Sequence, residues 1–374
     1  YVFFLPALAQ QAGIAKSVVW LILLLDQVVF ALCDAACGAW LDRVRPALPR
    51  LLRVMLGLTL ISSLGFLALP WLAPSGNSLA MALLLFVWAL TSAALRVPPM
   101  LMLARFFPAD AFPRMASLSM LGLAVAGAFS PLLTLWLAGQ DPRWPFALAS
   151  IGLTVSVAVL LRCEGVSQTS AMQPTGLSGL SLGGQTRASG NVMPWHWIAA
   201  VALLALGFQL HTFVNSAPAY LRLVSKDSLP MVMPAFWLGF GLCMWAWSRF
   251  GFDAKLSKPA PAVAALSVAG ALVWVAIASA NQIGAMLILQ GLGGVVWAAI
   301  FNLALACYAE QGRTGGEGRS LGWFFCLLAV AALVRIGLTG SGVASVAEVK
   351  PVLPWLPSLC FVLALAILAG RSRS

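Results

Sequence analysis

Residues 79–104 read LAMALLLFVWALTSAALRVPPMLMLA, a stretch whose one charge is Arg96. A helix rises 1.5 Å per residue, so about 20 such positions cross about 30 Å of hydrocarbon. Leu and Ala dominate and strict alternation is weak, which selects helix over strand. Ten further apolar windows lie near 18–40, 54–73, 115–138, 144–161, 195–214, 231–250, 260–280, 283–308, 319–340 and 351–370. Tyr1–Ala9 reads as the tail of a twelfth. Across the chain 61% of residues are hydrophobic and 9% are charged. A soluble globule carries about a quarter charged. The expected fold is an all-α polytopic membrane protein with 12 transmembrane helices, the first incomplete.

The net charge of +11 invites a nucleic-acid reading, which the placement of the charge excludes. With the loop after residue 40 on the cytoplasmic side, alternate loops and the C-terminus hold fifteen Lys and Arg, beginning with Arg43, Arg45, Arg50 and Arg53. The opposite side holds five: Lys16, Arg143, Arg222, Lys226 and Lys350. Arg96 and Arg335 fall inside helices. This is a positive-inside bias, so both termini are expected in the cytoplasm and the chain in the cell inner (plasma) membrane. The basic excess is a contact with anionic lipid of the bilayer.

Seven cysteines are present, none in a Cys-x-x-Cys pair, and they read as small packing residues. No metal site and no cofactor are expected. An enzyme is not expected either. His196 and His211 are the two imidazoles, and neither a His-Glu-x-x-His motif nor a phosphate-binding loop is present.

Residues 165–193 are rich in Ser, Thr, Gly and Gln, the composition of a flexible linker. They divide the chain into two expected six-helix bundles, 1–164 and 194–374. After the second helix of the first half stands Gly38-Ala-Trp-Leu-Asp42-Arg43, and after the second helix of the second stands Met244-Trp-Ala-Trp-Ser248-Arg249. Two halves of related design follow.

The Gly-x-x-x-Asp-Arg pattern of Gly38, Asp42 and Arg43 resembles the loop signature of the major facilitator superfamily. Helix count, central linker and cytoplasmic ends extend that resemblance over the whole chain. Departures are Arg45, Pro46 and Ala47 where the family has Gly and two basic residues, and Ser248 and Met244 in the second half. Gly127-Ala-Phe-Ser130-Pro131 is similar to the Gly-Pro element of proton-linked antiporters, with Ser in the Gly place. The resemblance implies a monomeric secondary active transporter in which two bundles rock around a midplane site. It also implies that Asp42 accepts hydrogen bonds from the start of helix eleven, near Arg319. Unpaired N–H groups and the helix dipole favour an anion there.

Polar groups inside the apolar windows complete the reading, because a mid-bilayer charge is costly unless paired or hydrated. Asp34 and Arg96 lie at comparable depth and can form an ion pair that braces or switches the bundle, joining Gly38, Asp42 and Arg43 as gating candidates. Asp26 has no basic neighbour in the sequence reading. Desolvation opposes its charged form, which makes it the candidate for proton coupling. Gly207, His211 and Asn215 share one face of helix seven, with Gln209 nearly opposite. The family resemblance turns that face toward the central cavity, where His211, Asn215, Gln290 and Asn302 are the substrate candidates. The expected function is proton-coupled movement of a small molecule by alternating access. The alternative is a non-transporting membrane assembly or chaperone factor on the same fold. Asp26, His211 and Asn215 facing one aqueous cavity would separate the two.

Overall fold

A computed structural model of the chain describes residues 1–45, 47–169, 193–251, 259–313 and 315–370. Residues 170–192, most of the expected linker, lie outside the described residues. The described residues fold into helices: α1 (Leu5–Gln11), α2 (Val19–Val44), α3 (Leu48–Leu72), α4 (Ser78–Ala94), α5 (Val97–Phe106), α6 (Phe112–Leu137) and α7 (Arg143–Thr169) in the first half. In the second half follow α8 (Trp195–Leu210), α9 (Ser216–Leu221), α10 (Leu229–Val232), α11 (Ala235–Phe250), α12 (Pro259–Ser279), α13 (Ile283–Gly312), α14 (Glu317–Gly340) and α15 (Leu356–Gly370). Among them are ten spans long and apolar enough to cross a membrane, and α7 adds a shorter apolar stretch over Arg143–Val159. The short α1 overlaps the apolar stretch Tyr1–Ala9. The helix α7 runs through Thr169, past the boundary expected at 164.

Three expected single helices are interrupted, each next to proline. The run at 79–104 breaks between α4 and α5 at Leu95 and Arg96. Pro98 and Pro99 lack the N–H groups that an unbroken helix would bond. Met233 and Pro234 separate α10 from α11. Between α8 and α9 the backbone makes a π-helical turn, His211–Asn215. Pro218 cannot bond the carbonyl four residues back, and the wider turn takes up the displaced backbone.

The outer surface is what lipid requires. Leu79, Leu242, Leu272 and Ile288 are all more than 60% exposed, which would be untenable in water at this density. Trp40, Trp71, Trp195 and Trp355 stand exposed at helix ends, as expected of an interfacial belt. Trp71 also receives the Arg143 guanidinium 4.1 Å from its ring centroid.

The halves meet along two helix pairs, α2 with α14 and α6 with α11. The loops after α2 and α13 lie on one side, hereafter the Arg43 face; the loop after α3 lies on the other, the Asn77 face. On the Arg43 face Gly38 of α2 abuts Gly318 and Gly322 of α14, so closely that a Cβ on Gly38 would overlap the Gly318 carbonyl oxygen. Toward the Asn77 face Leu24 meets Gly337 and Trp20 meets Gly340. In the second pair, Trp237 of α11 covers Gly127 of α6. Absent side chains let backbones approach where packing and not water expulsion holds helices together.

Candidate functional site: a latch between the halves and the polar groups within them

Helix α14 starts without a cap of its own. Its N-cap residue is Gly316, which has no side chain to accept from the first-turn amides. The cap comes from the other half. Asp42, in the last turn of α2, accepts from the Gly318 amide through Oδ1 at 2.8 Å and from the Arg319 amide through Oδ2 at 2.6 Å. These are charge-assisted bonds at the positive end of a helix dipole. Arg105, near the end of α5, donates from Nη2 to Asp42 Oδ1 at 3.0 Å and to the Leu41 carbonyl at 3.3 Å. Both side chains are largely buried, 16% exposed for Arg105 and 12% for Asp42. A second strand of the latch runs the other way: Arg45 donates to the Gly315 carbonyl at 3.0 Å. Arg45 sits in the left-handed region at φ 41°, which ends α2 and turns its side chain toward α14.

Gly38 and Asp42 are thus brought together at the α14 terminus, and Arg43 is not. Arg43 is exposed and lines, with Asp42, Trp40, Arg319 and Trp323, a cavity of about 880 Å³ on that face. The arginine that pairs with Asp42 is Arg105, which sequence reasoning missed. The glycines of α14, Gly318 and Gly322, were missed too, although their four-residue spacing is a close-contact signal.

Two turns deeper, Arg96 Nη1 lies 3.0 Å from Asp34 Oδ2, and the Asp34 side chain is fully buried. The guanidinium also lies over Phe30 and Phe325 at 5.1 and 5.7 Å. Phe325 belongs to α14, so this ion pair, like the latch, touches both halves.

The remaining site candidates are placed differently from the sequence expectation. Asp26 has a partner after all: the Tyr1 hydroxyl donates to its Oδ2 at 2.9 Å, and Tyr1 packs 4.4 Å from the Trp88 ring. His211 Nε2 bonds Gln290 Oε1 at 2.9 Å and its ring stacks on Trp274 at 4.1 Å. Asn215 donates to the Leu353 carbonyl at 2.7 Å. All four, Asp26, His211, Asn215 and Gln290, are buried. The face of helix seven expected to line a cavity is turned into the second half's own core, against α12, α13 and α15. The low amphipathicity of the helix gave no means of orienting it from sequence. Asn302 is buried with neither amide atom hydrogen-bonded among the described residues. On the other side of helix seven, Gln209 Oε1 and Thr212 Oγ1 are also buried without partners among the described residues.

The family model of the Major Facilitator Superfamily matches residues 1–334. The chain belongs to that superfamily. By sequence, no curated protein matches it. Among solved structures it is similar to a bacterial homologue of the iron transporter ferroportin in an outward-facing state. There the identity is 15% and the TM-score 0.71, over 100% of this chain and 98% of the other. It is also similar to the E. coli fucose:proton symporter FucP, at 15% identity and TM-score 0.64, over 100% of this chain and 97% of the other. At these identities the likeness is one of fold. This superfamily chain is a multi-pass membrane protein of a non-enzymatic transporter family, and the fold implies a small-molecule substrate in a lipid bilayer.

Proposed function

We propose that the chain is a secondary active transporter that works by alternating access, with Asp42 as the latch of the Arg43 face. The observation that carries this reading is the make-up of the seam there. The halves are joined across a glycine contact by two backbone amides on the Asp42 carboxylate, which Arg105 of its own half holds, and by Arg45 on the Gly315 carbonyl. Such a seam can part without exposing apolar core, which a permanent interface could not do. The positive-inside bias supports an Arg43 face in the cytoplasm, with both termini there and the chain in the inner (plasma) membrane as a monomer. In this reading Asp34 and Arg96 move with the seam. Asp26 takes up and releases the coupling proton by exchanging its Tyr1 bond, and substrate reaches the space between the halves.

One observation favours the alternative of a non-transporting assembly or chaperone factor. His211, Gln290, Asn215 and Asp26 are paired within their own halves, as polar braces of a scaffold would be. Flux separates the two. Proteoliposomes with an imposed proton gradient should accumulate at least one solute from a small-molecule panel. A panel with no flux under any gradient, from protein that unfolds cooperatively, would favour the scaffold. Cysteine labelling should reach Arg53 from the cytoplasm and Asn77 from the other side; the reverse pattern would overturn the orientation.

A further inference from the structure

Arg335 of α14 is a membrane-embedded cation that no carboxylate answers among the described residues. There the other membrane charges are accounted for: Asp34 with Arg96, and Asp26 with Tyr1. Within the same residues the Arg335 guanidinium makes no hydrogen bond or ion pair, and its Nε is buried without a partner. Its one contact of note is the face of Phe213, 4.7 Å from guanidinium carbon to ring centroid. A buried guanidinium N–H left unbonded is costly in hydrocarbon and calls for an acceptor.

A snorkelling arginine would reach for the nearest membrane surface. Arg335 does not. Phe213 lies eight residues before Leu221, where α9 ends, which at 1.5 Å per residue is about 12 Å below that helix end. The guanidinium is therefore held inward, across helix seven. Phe213 is 53% exposed and belongs to the side of helix seven turned away from Gly207, His211 and Asn215, the residues packed into the second half. Gln209 and Thr212 share that side with Phe213, within about one turn of it along the helix. Their Oε1 and Oγ1 are, with the Tyr220 hydroxyl nearer the helix end, the buried unpartnered polar atoms of helix seven among the described residues. Phe213 continues into an aromatic wall: Phe208 lies edge-on at 6.2 Å and stacks on Trp297 at 4.4 Å.

One cation without a counter-charge, two unpaired polar side chains and an aromatic wall make a consistent set of demands. We propose that Arg335 binds the acidic group of a small organic monoanion, whose apolar body lies along Phe213. The Thr212 hydroxyl and the Gln209 Nε2 group donate the remaining hydrogen bonds, while Gln209 Oε1, an acceptor, takes none from the carboxylate. The guanidinium fork suits a carboxylate bidentately. This inference deepens the transporter reading and rests on it for the word substrate; binding itself does not.

The test uses the full chain in nanodiscs of phosphatidylcholine, which hold no anionic lipid. Benzoate and naphthalene-2-carboxylate are the probes, with benzamide and naphthalene-2-carboxamide as neutral counterparts. Thermal unfolding is followed against probe concentration. Both carboxylates should raise the midpoint in a saturable way and the amides should not. Arg335→Gln should weaken carboxylate binding about tenfold or more, while Arg335→Lys keeps part of it. Should Arg335→Gln fail to insert, Thr212→Val with Gln209→Leu carries the test and should weaken the same binding with the charge intact. No response to either carboxylate in the wild type overturns the proposal. So does an equal response in Arg335→Gln, or stabilisation by phosphatidylglycerol alone that Arg335→Gln removes, which would make the partner a lipid headgroup. Failure of the transporter reading is separate: carboxylates that bind through Arg335 but never cross proteoliposomes would retain the site and discard transport.

Discussion

Replacing Asp42 with Asn tests the latch without changing its shape. In the wild type the two carboxylate oxygens accept one amide each, from Gly318 and Arg319, and Oδ1 also accepts from Arg105. Asn keeps one carbonyl oxygen. One charge-assisted bond becomes neutral and the other is lost, since an amide N–H₂ cannot accept. Charged hydrogen bonds contribute about 1.5–3 kcal/mol and an anion at a helix N-terminus about 0.3–1 kcal/mol. Subtracting a remaining neutral bond of about 0.5–1.5 kcal/mol from the two charged ones leaves about 3–5.5 kcal/mol, a shift of about 150- to 10,000-fold in the latched-to-open equilibrium. Arg105 loses its counter-charge in both states, so its cost largely cancels. Spin labels at Val44 and Glu310, exposed ends of α2 and α13, would report the separation across the Arg43 face in a cysteine-free background. The distance distribution should move to longer values in Asp42→Asn. An unchanged distribution in a variant that inserts and unfolds like the wild type would refute the latch.

Gly38→Ala should open the same face with the charge intact, because its Cβ meets the Gly318 backbone and neither helix has a flexible atom to yield; the same labels read it. Asp26→Asn keeps an oxygen for the Tyr1 hydroxyl, so the fold should survive while gradient-driven accumulation is lost and exchange between equal pools persists. Continued uphill accumulation would remove Asp26 from coupling. His211→Ala leaves Gln290 Oε1 unpaired and strips the ring from Trp274, and should cost about 1–3 kcal/mol of stability, read as a lower unfolding midpoint. A variant with unchanged midpoint and weakened substrate binding would return His211 to the cavity.

Nearly all of the helix layout was legible, because lipid forces every span to be long, apolar and internally bonded. Asp42 was legible because a motif fixed its place at the end of α2. Its partners were not. Arg105 lies 63 residues away on α5, and nothing in a single sequence sets the rotation of one span against another. The same blindness misplaced helix seven. Polar residues stand on both sides of it, and the choice between the His211 face and the Gln209 face needed the packing of α12, α13 and α15. Arg335 was visible as an intramembrane charge but had no sequence partner to give it meaning. Its lack of a partner among the described residues became informative only in three dimensions.

The two halves are not equivalent at their seams, and that asymmetry bears on how the protein opens. In the second half the position matching Asp42 is Ser248, whose hydroxyl donates to its own helix at the Trp245 carbonyl, 2.8 Å away. It reaches no amide of the first half among the described residues. The α6–α11 seam is instead closed by shape, through Trp237 over Gly127 and the Arg114 side chain against Gly251. Shape closure between helices slides or tilts at small cost, since lipid replaces what protein contact gives up. A carboxylate pulled from two helix amides has no such substitute until water enters. The Arg43 face therefore has one charged bolt among the described residues, on the α2–α14 side, and a hinge-like contact opposite. Opening should begin at α2–α14 with α6–α11 as the pivot, and the lack of a matching acid at Ser248 is why one substitution at Asp42 carries so large a share of the equilibrium.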